Sequence, residues 1–231
     1  MTNIFSGINS TYHALVLQVN HRMSHHVQFS ANYTFSKAKD FGQNQSTFSD
    51  TNDLLLPGQI APEKGISLND IPHRFVANAV VTSPWKKSGW AGWFANDWEF
   101  APVYQWQYGV PFSLVTSGTP PGGLGSSING SGGDNRIDVI GRNSFRRPNI
   151  WVADIRLAKT LTFQERYKLE LSGDFFNIAN KQDVTSVNNT GYIVSGSTLT
   201  FNAPFGTTTA TNGSSFTYTP RQIQLGVRVR F

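Results

Sequence analysis

Apolar and polar side chains alternate with a period of two over much of the chain. In VQFSANYTFS, residues 27–36, Val27, Phe29, Ala31, Tyr33 and Phe35 hold the odd positions, and Gln28, Ser30, Asn32, Thr34 and Ser36 the even ones. Successive side chains of a strand point to opposite faces, so this alternation predicts a strand with one apolar and one polar face. About seven segments carry the pattern: 12–20, 27–38, 73–83, 98–110, 149–159, 167–177 and 221–231. Pro102 falls inside the fourth segment and cannot donate to a ladder, which predicts a bulge or weak pairing there.

The connections differ in length in a regular way. Short turns at 21–26, 84–97 and 160–165 alternate with long loops at 39–71, 111–148 and 179–220. Soluble compact domains rarely hold structureless loops longer than about 12–15 residues. Transmembrane barrels have long extracellular loops and short periplasmic turns. Segments of roughly 9–13 residues are also close to the length of a tilted membrane strand. The expected fold is therefore all-β: an antiparallel up-and-down transmembrane β-barrel portion, open or incomplete, occupying residues 1–231. The competing expectation is a soluble or surface β-sandwich that binds carbohydrate through the loop aromatics Phe41, Phe48, Phe112 and Phe145. Self-packing of those loops is the plainer account of the four rings.

The two faces assign side chains to two solvents. Phe29, Tyr33, Phe35, Phe75, Trp98, Tyr104, Trp106, Tyr108, Trp151, Tyr167 and Phe175 are expected to face lipid, with rings near segment ends forming interfacial girdles. Arg74, Asn78, Glu99, Gln105, Gln107, Arg156, Glu170, Arg228 and Arg230 are expected to face the lumen. The polar sides are mostly small and neutral, which suits a hydrated interior more than an open water surface.

Composition sharpens the picture. Charged residues make up 14% and aromatics 13%, which excludes a charged, aromatic-poor disordered chain. There is no cysteine, so disulfides and thiolate metal sites are excluded. The net charge of +5 comes from scattered residues such as Lys86, Lys87, Arg142, Arg146 and Arg147. No basic cluster is dense enough for nucleic acid. The basic residues are expected to be solvated loop charges, with attraction to anionic lipid the weaker reading. No run of about 18 apolar residues exists to make a transmembrane helix. The opening MTNIFSGINS lacks the basic and apolar regions of a signal peptide.

Little in the chain points to catalysis. His21, His25 and His26 gather at the first turn, but a metal site needs three or four converging ligands, and a polar turn is the expected role. Asp134 and Asp138 lie in GGDNRIDVIG; a calcium loop wants more oxygens at fixed spacing, so a flexible extracellular loop is expected. SSINGSGG is not a nucleophile elbow, and there is no phosphate-binding loop. The expectation is a non-enzyme with no cofactor and no metal.

The last alternating segment ends on Phe231, an apolar ring beside the carboxylate, which suits a membrane interface. STYHALVLQVNHRMSHHVQFSANYTFSKAKD, NDIPHRFVANAVVTSPW, FRRPNIWVADIRLAKT, LELSGDFFNIANKQD and PRQIQLGVRVRF together resemble the C-terminal barrel strands of Oar-like TonB-dependent receptors. YTFSKAKD, HRF and FFNIAN are the more specific stretches. The resemblance implies an outer-membrane transporter whose barrel of about 22 strands holds a plug domain energised through TonB, taking up a siderophore, cobalamin, a glycan or a peptide. It implies that Phe231 is a terminal assembly signal read by the barrel-assembly machinery, and that lipid and lipopolysaccharide surround the barrel. It places the protein in the outer membrane of a Gram-negative bacterium. No plug and no TonB box are recognisable. The chain is expected to be the C-terminal part of a longer receptor, unable to transport alone.

Overall fold

A computed structural model describes residues 9–41, 60–118, 135–137, 139–163, 166–211 and 220–231. In chain order the elements are β1 (Thr11–Ser24), β2 (Val27–Asp40), a 3-10 turn (Ala61–Glu63), β3 (Gly65–Ile66), β4 (His73–Thr82), α1 (Gly89–Ala95), β5 (Trp98–Gln107), β6 (Pro111–Phe112) and β7 (Val115–Ser117). There follow β8 (Phe145–Arg146), β9 (Ile150–Phe163), β10 (Tyr167–Phe176), β11 (Val184–Val187), β12 (Thr190–Ser195), β13 (Thr198–Phe201), β14 (Thr208–Thr211) and β15 (Gln222–Arg230).

The seven alternating segments are the seven long strands, joined in the order β1-β2-β4-β5-β9-β10-β15. Each is antiparallel to the next along the chain. This is an up-and-down meander, with β3 appended beside β2. Among the described residues β1 and β15 have no further partner, so these strands alone do not close a ring.

Register sorts the side chains, because a slip of one residue would turn a whole strand over. Leu17, Tyr33, Phe75, Trp106 and Trp151 stand opposite one another across five strands. Phe100, Leu157, Gly173 and Leu225 form another such row. On the reverse side Asn20, Ser30, Asn78 and Val103 align, as do Thr160, Glu170 and Arg228. One side is thus apolar from β1 to β15 and the other mainly polar.

The short connections lie at one end of the sheet. The first is tighter than the sequence suggests: β1 and β2 run on to Ser24 and Val27, leaving only His25 and His26 in the turn. Both have positive φ, 49° and 67°. That geometry matches the right-handed twist of a two-residue hairpin. The second connection, expected as a plain turn, contains α1. The third is shorter than expected because β9 continues to Phe163.

Pro102 weakens one ladder only. Register between β4 and β5 is the same on either side of it, yet no pairs form at Ala79 and Val80. The β5–β9 ladder runs through without a break. The missing N–H therefore falls on the β4 side, and there is no bulge.

The described parts of the second and third long loops are not structureless, contrary to expectation. They carry short sheets of their own: β6 with β8, β11 with β14, and β13-β12-β7. Gly191 on β12 leaves room for Leu114; a Cβ there would lie 2.5 Å from the Leu114 side chain.

Burial is inverted relative to a water-soluble domain. Among the described residues only four hydrophobic side chains are buried, Phe112, Leu114, Val152 and Ala158, against twelve polar or charged ones. Leu15, Leu17, Phe35, Phe100, Leu171, Leu225 and Val227 stay exposed. No second layer covers the apolar side among the described residues, so the β-sandwich expectation fails on packing: a sandwich buries that side.

The register is open to a direct check in a chain that lacks cysteine. Asn20→Cys with Ser30→Cys should form a disulfide under mild oxidation, since these residues face each other with their side chains 2.7 Å apart. Asn20→Cys with Thr34→Cys should not. Gel mobility with and without reductant reads both.

Candidate functional site

Three groupings of side chains stand out: an aromatic belt, a charge ladder on the polar side, and a cap built from the long loops.

The belt lies toward the loop end of the apolar side. His73 opens β4 and touches three rings: Tyr33, Phe35 and Tyr108, with centroids 6.1, 5.2 and 5.6 Å away. Its Nδ1 is hydrogen-bonded to the Tyr33 hydroxyl at 2.7 Å. Tyr104 bridges Phe75 and Trp151 at 6.2 and 6.1 Å. Lys181 and Arg146 lie over Trp151 and Tyr108, at 5.2 and 5.6 Å from the ring centres. An aromatic ring with a cation on its loop-side face is suited to a boundary between hydrocarbon and water.

The charge ladder crosses β9, β10 and β15. Arg156 grips Asp174 through two bonds of 3.0 and 3.1 Å and reaches Glu170 at 3.0 Å. Glu170 also meets Arg230 at 3.3 Å and Arg228 at 4.0 Å. Two carboxylates among three guanidiniums hold the strands in register and leave a cationic surplus at the wall. Arg156, expected to face the lumen, shares the polar side by register and is held there by carboxylates of its own sheet.

The cap is the most buried part of the molecule. Arg142, 2% exposed, donates from Nε to the Glu63 carbonyl at 2.9 Å and from an Nη to the Asp40 carbonyl at 2.6 Å; it also pairs with the Asp40 carboxylate. Arg136 pairs with the Glu63 carboxylate at 2.5 Å. Burial pushes the Arg136 guanidinium below its ordinary pKa; Glu63 opposes this, and neighbouring Arg142 adds to the lowering. Arg146 pairs with Asp70, whose other oxygen accepts from the Ala38 N–H. Asn143, at φ 56°, bonds Ser113 and the Ile66 carbonyl. Arg147 donates to the Thr185 carbonyl, which links the third loop. Gly109 must be glycine: a Cβ would lie 1.7 Å from the Arg147 carbonyl oxygen.

The cap meets the end of β2: the Ser36 hydroxyl donates to the Ile71 carbonyl, the Ala38 N–H donates to Asp70, and Asp40 accepts from Arg142. Segment 65–66 pairs alongside β2 as β3. Ser36 and Asp40 share the side of Asn32 and Thr34 along the strand, while Arg146 lies over Tyr108 of the other side. Arg142, Arg146 and Arg147 were expected to be solvated. They are buried or half-buried and paired, because three loops converge on them. No spacing in the sequence announces these pairs, since Arg142 and Asp40 are 102 residues apart.

All ten expected lipid-side residues within the strands share the apolar side by register, and Tyr108 follows directly after β5, its N–H bonded to the His73 carbonyl. All nine expected lumenal residues share the other side. Phe231 follows β15 and is almost fully exposed. The turn histidines diverge: His21 stacks on Phe29, His25 bonds Ser24 and His26 bonds Thr82. Among the described residues no group of three or more His, Asp or Glu could hold a metal. Asp134, Asp138 and Phe48 lie outside the described residues. Phe112 and Phe145 pack on each other and on Phe205, at 5.9, 5.9 and 5.0 Å. FFNIAN is a locking turn: the Asn177 N–H donates to Asp154 at 2.7 Å, and its side chain bonds both the N–H and the carbonyl of Lys181.

The family described as outer membrane beta barrel domain matches residues 1–140 and 133–224. No curated protein matches the chain.

Breaking the buried cap pair should be costly. Glu63→Ala removes the carboxylate paired with a buried guanidinium, with an expected loss of about 3–5 kcal/mol. Joint replacement by Glu63→Leu and Arg136→Met should regain most of it. Protease cutting of the 60–72 segment across a denaturant series measures both.

Proposed function

The chain belongs to the outer membrane beta barrel domain family, and its place is the outer membrane of a Gram-negative cell; from that premise we propose that it is the C-terminal part of an Oar-like TonB-dependent receptor barrel. The observation that carries this reading is the pairing of a continuous uncovered apolar side with a buried, salt-bridged cap at the end that holds all three long loops. A transporter barrel needs both: one surface for acyl chains and a loop assembly that meets ligand before the passage.

In this reading the apolar side meets hydrocarbon, and the belt around His73 lies at the outer interface. The short turns are periplasmic. Arg74, Asn78, Glu99, Gln105 and Gln107 line the passage, while Arg156, Glu170, Arg228 and Arg230 brace its wall. The cap receives a siderophore, glycan or peptide. A plug domain and TonB complete the parent receptor, lipopolysaccharide surrounds it outside, and the barrel-assembly machinery inserts it. The protein moves its ligand and does not transform it. Among the described residues β1 and β15 have no further partner, and in hydrocarbon such edges require further strands. This chain by itself would then not transport.

Two adjacent positions on β4 test the solvent assignment. Ala77→Arg puts a charge on the apolar side and should destabilise the barrel by about 2–4 kcal/mol. Asn78→Arg, on the polar side, should cost little. Unfolding of the parent barrel in lipid vesicles, followed by heat-dependent gel mobility, compares the two; equal losses would overturn the assignment.

A second test concerns location. The protein expressed with its parent sequence should sediment with outer-membrane vesicles and need detergent for extraction. A monodisperse protein without detergent would overturn the proposal.

A further inference from the structure

The connection between β4 and β5 does more than turn the chain. Trp90, Trp93 and Phe94 sit at positions i, i+3 and i+4 of α1 and therefore share one face. Trp90 is 81% exposed, Phe94 74% and Trp93 53%, with Trp85 nearby at 56%. Soluble surfaces rarely leave so many large rings together in water.

The helix is firmly seated. Gly92, on its other side, packs against the preceding chain; a Cβ there would lie 2.3 Å from the Lys87 carbonyl oxygen. Asn96 holds the Lys87 N–H and carbonyl, both at 2.8 Å. Trp98 Nε1 donates to the Phe94 carbonyl at 2.7 Å. Lys159, the buried cation on the apolar side, donates to the Asn96 carbonyl and lies 5.6 Å from the centre of the Trp98 ring. The exposed rings are thus presented on a fixed scaffold.

Their face continues the apolar side of the sheet. Trp93 meets Phe163 edge-on at 5.3 Å, and Phe163 shares its side with Leu161, Tyr167 and Leu169 by register. Charge completes the site. Lys86 and Lys87 are exposed just before the helix, and Arg166 is exposed on the neighbouring turn. Among the described residues of these two turns, Asp97 is the carboxylate set against them.

We propose that this connection binds an anionic phospholipid of the periplasmic leaflet, its acyl chains against Trp90, Trp93 and Phe94 and its phosphate on Lys86 and Lys87. Continuity with the lipid-facing side supplies the apolar half of the site and the lysine pair selects the headgroup. The proposal rests on the reading that the apolar side meets hydrocarbon.

Two reporters separate the site from that reading. With the chain expressed within its parent sequence and reconstituted in vesicles, one variant keeps Trp90 as its sole tryptophan and another keeps Trp106. Brominated phosphatidylglycerol should quench Trp90 more than brominated phosphatidylcholine does, and Lys86→Gln with Lys87→Gln should abolish the difference. Quenching of Trp106 without Trp90 overturns the site alone. Quenching of neither overturns the lipid-facing side as well. Equal quenching of Trp90 by both lipids overturns the anionic preference. A Trp90 unquenched by lipid yet shielded from acrylamide in whole envelopes means a protein covers it, and also overturns the proposal. Should a reporter fail to fold, native mass spectrometry of the unsubstituted chain should show bound phosphatidylglycerol, with affinity lowered about tenfold or more by the double lysine substitution; unchanged affinity overturns the proposal.

Discussion

Hydrocarbon offers no hydrogen bonds, so each backbone N–H and C=O inside a bilayer must find a partner in the protein. That constraint organises the long-strand sheet. Each strand pairs with its neighbour in the chain, and the ladders run nearly unbroken from β1 to β15. Once the ladders are fixed, the period of two sorts the side chains without further choice. The exception shows the rule: Pro102 lacks a donor, and the pairs with β4 are lost just there while the other ladder stays whole.

With the apolar side turned outward, the interior must be held by other forces. Charge pairing serves at the strand wall, where Arg156 sits between Asp174 and Glu170. It serves again in the cap, where Arg136, Arg142 and Arg146 meet Glu63, Asp40 and Asp70. Such pairs contribute modestly to net stability, but each becomes expensive to break once it is out of water. They confer a defined loop arrangement beside the small apolar cluster of Phe112, Phe145 and Phe205. The aromatic belt joins the two regimes, with carbon surfaces facing one way and Tyr hydroxyls, Lys181 and Arg146 the other.

The long strands were legible because their signal is local. Tyr33, Phe35, Phe75 and Trp106 alternate with Asn32, Ser36, Arg74 and Gln107, and nothing beyond the pleat is needed to sort them. The cap was not legible for the opposite reason. Glu63, Arg136 and Arg142 look like ordinary loop charges, and only the meeting of distant loops buries them. α1 was hidden by its glycines and tryptophans, poor helix formers whose helix is fixed by Asn96 and by Trp93 on Phe163. The extent of β1 and β9 was missed because His21 and Lys159 put polar groups on the apolar side while both stay paired in the ladder.

The bond from Arg142 to Asp40 spans 102 residues of chain. Contacts of such separation form only after the intervening segments are in place, since closing a large loop costs entropy before it returns any contact. The loop end thus depends on the sheet beneath it: Arg142 reaches Asp40 only where β2, β4 and β5 stand side by side, so the charge pairs of the cap report on the assembly of strands far from them in the chain.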